Sequence, residues 1–222
     1  MRQGSTACVF LLATQTWSQH HWSQHKAAFL LRVLESLTDQ LAKLGVPLQI
    51  LDAPNFDDAP GHLLKFSREI GAKKLFFNRE YPVDEKVRDE RVHNTLEENG
   101  IECEPHDSFL VFPPNSILKD DGHPYSVFTP FKRKWLSKAE GEGLRSLPCP
   151  RPQQSRVLET KIPGEILSTR ANFGQNLWLG NHKHAGDLLE TFLNGKIDRY
   201  HNERDFPVCL LYTSPSPRDS DQ

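Results

Sequence analysis

An α/β fold, an open parallel sheet with helices on both faces, is what this sequence predicts, and three observations predict it. Short apolar runs of strand length recur three times, each is followed by a longer segment with helical periodicity, and glycine or proline punctuates the ends. Strands that alternate with helices join in parallel through right-handed crossovers, and the helices cover both faces of the sheet. Ligands of such sheets bind at the C-terminal ends of the strands. A chain of 222 residues is long enough for one large or two modest domains with a real core.

Cys8-Val9-Phe10-Leu11-Leu12-Ala13 is continuously apolar, as a strand buried on both faces is. After a polar loop, Leu30, Val33, Leu34, Leu37, Leu41 and Leu44 recur at steps of three and four. A helix is therefore expected from about Ser23 to Leu44, stopped by Gly45 and Pro47. Pro47–Leu51 is the second strand, and Leu63, Leu64, Phe66 and Ile70 mark a second helix that ends at Gly71. Lys74–Asn78 is the third strand. Pro82 then opens a third helix with Val83, Val87, Val92 and Leu96 near one stripe, ended by Asn99-Gly100. From Phe112-Pro113-Pro114-Asn115 onward the pattern turns to prolines and aromatics, with one short helix near Phe131–Lys138. Gly141–Glu165, rich in Pro, Gly, Ser and Arg, reads as a surface linker, and a last helix is expected over about Ala185–Leu193.

Composition excludes several classes of function. With 37% hydrophobic and 25% charged residues the chain is neither a disordered polyelectrolyte nor a fibre. Its 27 Lys+Arg against 29 Asp+Glu give a net charge of −2, so no global basic field points to nucleic acid. The longest apolar runs fall far short of the roughly 20 residues that span a bilayer, and the N-terminus has no secretory h-region, so a cytoplasmic protein is expected. Cys8, Cys103, Cys149 and Cys209 lie far apart without a CxxC pair, so they read as ordinary thiols and no metal site is expected. His20, His21 and His25 have the spacing to share a helical face, but no third spaced ligand or cysteine stands near them. A nucleotide-binding module would carry a Gly-rich phosphate loop after the first strand, and Thr14–Ser23 has none.

Tyr125-Ser126-Val127-Phe128-Thr129-Pro130-Phe131-Lys132-Arg133-Lys134-Trp135 closely resembles the "Y-x-VFTPF-xxx-W" element of the DNA photolyase/cryptochrome family. The resemblance extends in order through Ala13-Thr14…Trp17…His20, Tyr81…Asp84-Glu85…Arg88-Asp89 and Leu110…Phe112-Pro113-Pro114. It continues through Leu177-Trp178-Leu179-Gly180…Ala185 and Tyr200…Arg204-Asp205-Phe206-Pro207, so it covers about Cys8 to Val208. The pattern is most similar to bacterial class I cyclobutane-pyrimidine-dimer photolyases of the folate-antenna type. Such proteins open with a strand carrying a "WFR-x-DLR-x-x-DN" signature and continue into a helical flavin domain with a "TS-x-LS" phosphate loop. Neither is present, so the sequence is expected to be a fragment lacking the first βα unit and most of the helical domain. Its last residues, Cys209-Leu210-Leu211-Tyr212-Thr213-Ser214-Pro215-Ser216-Pro217-Arg218-Asp219, resemble a translated sequencing adapter, with a Ser/Pro-rich disordered tail as the alternative.

The resemblance implies an organisation: an antenna-binding α/β domain over 1–140, an interdomain linker over 141–172, the beginning of a helical FAD-binding domain over 173–208, and a non-native tail over 209–222. It also implies an activity, light-driven repair of pyrimidine dimers in DNA by a carbon–carbon lyase that is a monomer when complete. The alternative is a cryptochrome-like photoreceptor that repairs nothing. No catalytic residue is expected in this stretch, which should be inactive alone. The antenna implied is methenyltetrahydrofolate. Glu85 matches the carboxylate that accepts the paired donors of its pterin ring, His20 matches a histidine that touches the folate, and Asp84 stands where Asn is usual. Without the resemblance, Asp84 and Glu85 read equally well as acidic residues that favour a helix N-terminus. Tyr200 matches a tyrosine that reaches the FAD, or else anchors its own helix. Lys132, Arg133 and Lys134 form a compact basic cluster that reads as structural in preference to phosphate-binding.

Overall fold

The structure, a computed structural model, describes residues 5–143, 147–154 and 179–203. Most of the expected linker, Leu177-Trp178, the 204–207 motif and the tail over 209–222 lie outside these residues. The chain divides into two units, residues 1–22 with 43–161, and residues 23–42 with 162–222.

The first unit runs β1 (Cys8–Leu12), α1 (Thr14–Gln19), β2 (Leu48–Asp52), a 3-10 turn (Phe56–Asp58), α3 (Ala59–Ile70), β3 (Lys74–Asn78), α4 (Val83–Glu98), β4 (Glu102–His106) and α5 (Phe128–Glu142). The strands are parallel, as their alternation with helices predicts, but they form two pairs. In one, Cys8 stands opposite Leu48 and Leu12 opposite Asp52; in the other, Lys74 stands opposite Glu102 and Asn78 opposite His106. Among the described residues β1 and β3 therefore each have a bonded neighbour on one edge only. One core serves both pairs. Ala59 and Leu63 of α3, Val92 and Leu96 of α4, Ile101 and Cys103 form its centre, with Val9 and Leu11 of β1 and Leu75 and Phe77 of β3 packed against it.

Local sequence sets the helix ends. Pro60 lies in the first turn of α3, where its missing N–H costs nothing. Gly71 closes that helix at φ 67°, with Ala72 N–H donating to Ser67 O at 2.8 Å. Pro130 sits similarly in the first turn of α5, which is longer than the Phe131–Lys138 expected. Its Trp135 ring meets Phe112 edge-on at 5.5 Å, so two of the stretches that carry the resemblance touch.

Four expectations are revised. Leu12 is fully buried, but Cys8, Val9, Phe10 and Leu11 are only partly so, because β1 is laddered along a single edge. Thr14–Gln19, expected to be loop, is α1, held where Thr16 N–H donates to Pro54 O at 3.2 Å and its Oγ1 accepts from Phe56 N–H at 3.3 Å. In α4, Val92 and Leu96 are buried while Val83 and Val87 are 76% and 41% exposed, so only its second half packs on the core. Strand β4 was not expected, since Glu102–His106 is mostly polar. Its pairing with β3 is supported by Lys74, whose Nζ lies 2.7 Å from Glu102 Oε1 and 2.5 Å from Glu104 Oε2.

The second unit contains α2 (Gln24–Lys43, but for its last residue), α6 (His182–Leu193), a 3-10 turn (Ile197–Arg199) and α7 (Tyr200–Glu203). Helix α2 spans the expected segment and buries Ala28, Leu31 and Leu34. Asn181 caps α6, its Oδ1 accepting from His184 N–H at 2.8 Å. Gly180 lies at φ 65° against α2, so close that a Cβ there would stand 2.8 Å from Arg32 Cβ and 3.0 Å from Val33 N.

Candidate functional site

The candidate residues of the first unit sit just beyond the C-terminal ends of β1 and β3. Helix α1 ends in a tight turn: His20 N–H donates to Thr16 O at 3.0 Å, and His21 adopts φ 54°. Trp22 N–H reaches back to Trp17 O at 2.9 Å, and the two indoles stack at 4.7 Å with 6° between planes. Closing the turn this way presents the His20 side chain outward from its apex. From the other strand, Pro82 precedes α4 and places Asp84 and Glu85 in its first turn, where carboxylates meet the positive end of the helix dipole.

The structure brings His20 and Asp84 together, with Nε2 3.6 Å from Oδ2. Both are exposed, Asp84 more than His20. Glu85 is half-buried, and its carboxylate has no hydrogen-bond or ion-pair partner among the described residues. A carboxylate with free lone pairs can accept from a flat heterocycle that presents adjacent N–H donors, the donor pattern of a pterin. Tyr200 belongs to the other unit, where it begins α7. It is 47% exposed and meets Phe192 edge-on at 5.9 Å. One half-exposed tyrosine does not make a cradle for a dinucleotide.

The loop between β3 and α4 is held by a polar network that the sequence did not reveal. Arg88 Nη2 lies 2.5 Å from Glu80 Oε2 and 2.7 Å from Asp89 Oδ1, and the guanidinium lies 4.8 Å from the Phe56 ring centre. Burial alone would lower the pKa of Arg88, but its bonds to Glu80 and Asp89 outweigh that and the net direction is upward. Tyr81 Oη and Arg79 Nη1 both donate to Asp107, at 3.0 and 2.8 Å. Burial, and then the bond to Asp107, push the Tyr81 phenol up. Tyr81, Arg88 and Asp89 of the resembling motif thus brace the loop that delivers Asp84 and Glu85.

A cavity of about 530 Å³ opens at the C-terminal ends of β3 and β4, lined by Phe77, Arg79, Tyr81, Lys86, Asp89 and His93 among others. None of His20, Asp84, Glu85 and Tyr200 lines it. Sequence reasoning also missed a convergence of His93, Glu97 and Cys103. The four-residue spacing of His93 and Glu97 was visible; the strand that brings Cys103 to them was not. Among the described residues no helix is long and apolar enough to cross a membrane.

A family model described as DNA photolyase matches residues 1–153. The deoxyribodipyrimidine photo-lyase of Vibrio cholerae is 28% identical over 219 residues, which cover 95% of this chain and 45% of that protein. Its counterpart from Escherichia coli is 26% identical over 200 residues, covering 90% and 42%. A solved bacterial class III photolyase from Agrobacterium tumefaciens shares the fold, with TM-score 0.70 at 22% identity over 98% of this chain and 45% of its own. The chain spans under half the length of these curated relatives. Since the family match takes in well over half of the residues, including all four strands and the turns that carry His20, Asp84 and Glu85, the chain belongs to the DNA photolyase family.

Proposed function

We propose that this chain is the light-harvesting part of a deoxyribodipyrimidine photo-lyase, with residues 1–140 as the antenna-binding domain and 173–208 as the start of the FAD-binding domain. The whole enzyme would use light to split cyclobutane pyrimidine dimers in damaged DNA. The observation that carries the antenna reading is the half-buried, unpartnered Glu85 carboxylate in the turn beside the His20–Asp84 pair. A reduced folate supplies near-ultraviolet absorption when bound. Glu85 accepts the two adjacent pterin donors through its two oxygens, in the fork geometry that gives charge-assisted bonds their directionality. His20, set outward by the stacked indoles of Trp17 and Trp22, closes on the same ligand. Asp84 stands 3.6 Å from His20 at the rim of the same turn.

The test is titration of the purified chain with methenyltetrahydrofolate, followed by the near-ultraviolet band of the bound pigment, for wild type and Glu85→Gln. Binding that Glu85→Gln weakens supports the reading. Equal affinity in both proteins would overturn it.

A further inference from the structure

Beyond the residues just described, three metal-binding side chains converge at the far end of α4. His93 and Glu97 are four residues apart on that helix, so they lie one above the other on one face. The chain then turns through Asn99-Gly100, with Gly100 at φ 73°, and enters β4, which brings in Cys103. One imidazole nitrogen, one carboxylate oxygen and the thiol sulfur all lie within 4.8 Å of one another.

The cluster is held from several sides. Cys103 N–H donates to Glu97 Oε1 at 2.6 Å, which fastens the carboxylate over the strand. Ile101 N–H donates to Leu96 O at 3.0 Å, which fixes the step from helix to strand. Cys103 is buried at the edge of the core beside Leu96 and Ile101, Glu97 is exposed, and His93 is half-buried. The arrangement therefore has a dry sulfur end and a wet carboxylate end.

We propose that His93, Glu97 and Cys103 bind a single zinc ion, which ties the C-terminal half of α4 to β4. The donor set selects the metal. A thiolate and an imidazole suit zinc, whereas magnesium and calcium require six or more oxygens. Zinc-to-ligand bonds of about 2.0 Å to nitrogen and oxygen and 2.3 Å to sulfur hold donors roughly 3.5 Å apart, so the three atoms need close by only about an ångström. On binding, the Cys103 thiol forms its bond to zinc and releases its proton to water, with no change of oxidation state. The exposed Glu97 side leaves the fourth tetrahedral position to solvent.

The test uses the full chain, purified with a thiol-free reductant and stripped with a chelator. Cobalt is titrated in first, because a cobalt–thiolate bond gives a near-ultraviolet charge-transfer band that nitrogen and oxygen ligands alone do not. The expected result is one equivalent bound with that band, displaced by zinc and not by magnesium. Cys103→Ser should abolish the band. Cys8→Ser, Cys149→Ser and Cys209→Ser should keep it. Glu97→Gln, which retains an oxygen to accept from Cys103 N–H, and His93→Gln should each weaken zinc binding by roughly tenfold or more while leaving the circular dichroism unchanged. Absence of the band in wild type, its survival in Cys103→Ser, or unchanged zinc affinity in folded His93→Gln and Glu97→Gln would each overturn the assignment.

Discussion

The Nε2 atom of His20 lies 3.6 Å from Oδ2 of Asp84, joining the turn after α1 to the first turn of α4. The contact gives the Asp84 carboxylate a partner across the two turns. An exposed pair of this kind contributes only about 0–1 kcal/mol. Asp84→Asn should therefore change thermal stability little, and by removing a charge beside Glu85 it should tighten folate binding or leave it unchanged. Calorimetry and absorbance titration of the same variant check both halves.

Glu85→Gln carries the larger effect on ligand. One carboxylate oxygen becomes an NH₂ that faces a donor of the pterin, and an unsatisfied buried pair costs about 1–3 kcal/mol. Folate affinity should fall roughly tenfold to a hundredfold. Stability should fall by no more than about 1 kcal/mol, the favourable contact of the carboxylate with the helix N-terminus being all there is to lose among the described residues.

Arg88 carries more stability than either. Its side chain is 17% exposed and Asp89 is 15% exposed, so removing the guanidinium strands a nearly buried carboxylate and uncovers the Phe56 ring. Arg88→Ala should cost about 2–4 kcal/mol in denaturant unfolding. Arg88→Lys should recover only part of this, because an ammonium cannot serve Glu80 and Asp89 as one planar fork.

Lys74 sets a pH window for the β3–β4 pair. Its hydrogen bond lowers the pKa of Glu104, so that contribution is present above the ordinary carboxylate range and is lost as pH falls through the folded value. The bonds to Glu102 and Glu104 raise the pKa of Lys74, so its share is present below the ordinary lysine value and is lost as pH rises through the raised one. Glu104→Gln should flatten the acid limb of a stability-versus-pH curve, and Lys74→Met should flatten both limbs. Urea midpoints measured across pH check this.

Gly180→Ala should destabilise the second unit by about 1–3 kcal/mol, because it combines a left-handed backbone with a Cβ driven into α2. Gly186→Ala, with open space around the new Cβ, is the control and should be neutral or stabilising. Chemical denaturation of both variants separates the two outcomes.

The elements legible in the chain's own residues are those whose chemistry is local. The apolar runs of β1, β2 and β3, the period of α2 and α3, and the stops at Gly45, Gly71 and Asn99-Gly100 all act within a few residues. The motif around Val127-Phe128-Thr129-Pro130-Phe131 likewise carries the family resemblance in contiguous residues. Contacts between residues distant in the chain set the rest. Glu-Cys-Glu-Pro-His becomes β4 because Lys74 of a neighbouring strand neutralises Glu102 and Glu104 while Cys103 turns into the core. Val83 and Val87 lie on the expected stripe, yet face water because the core ends at Val92. His20 and Asp84 are 64 residues apart in the chain, and Gly180 and Arg32 are 148 apart. Periodicity reports which residues prefer to be covered, but only packing decides which surfaces are present to cover them and which distant side chains meet.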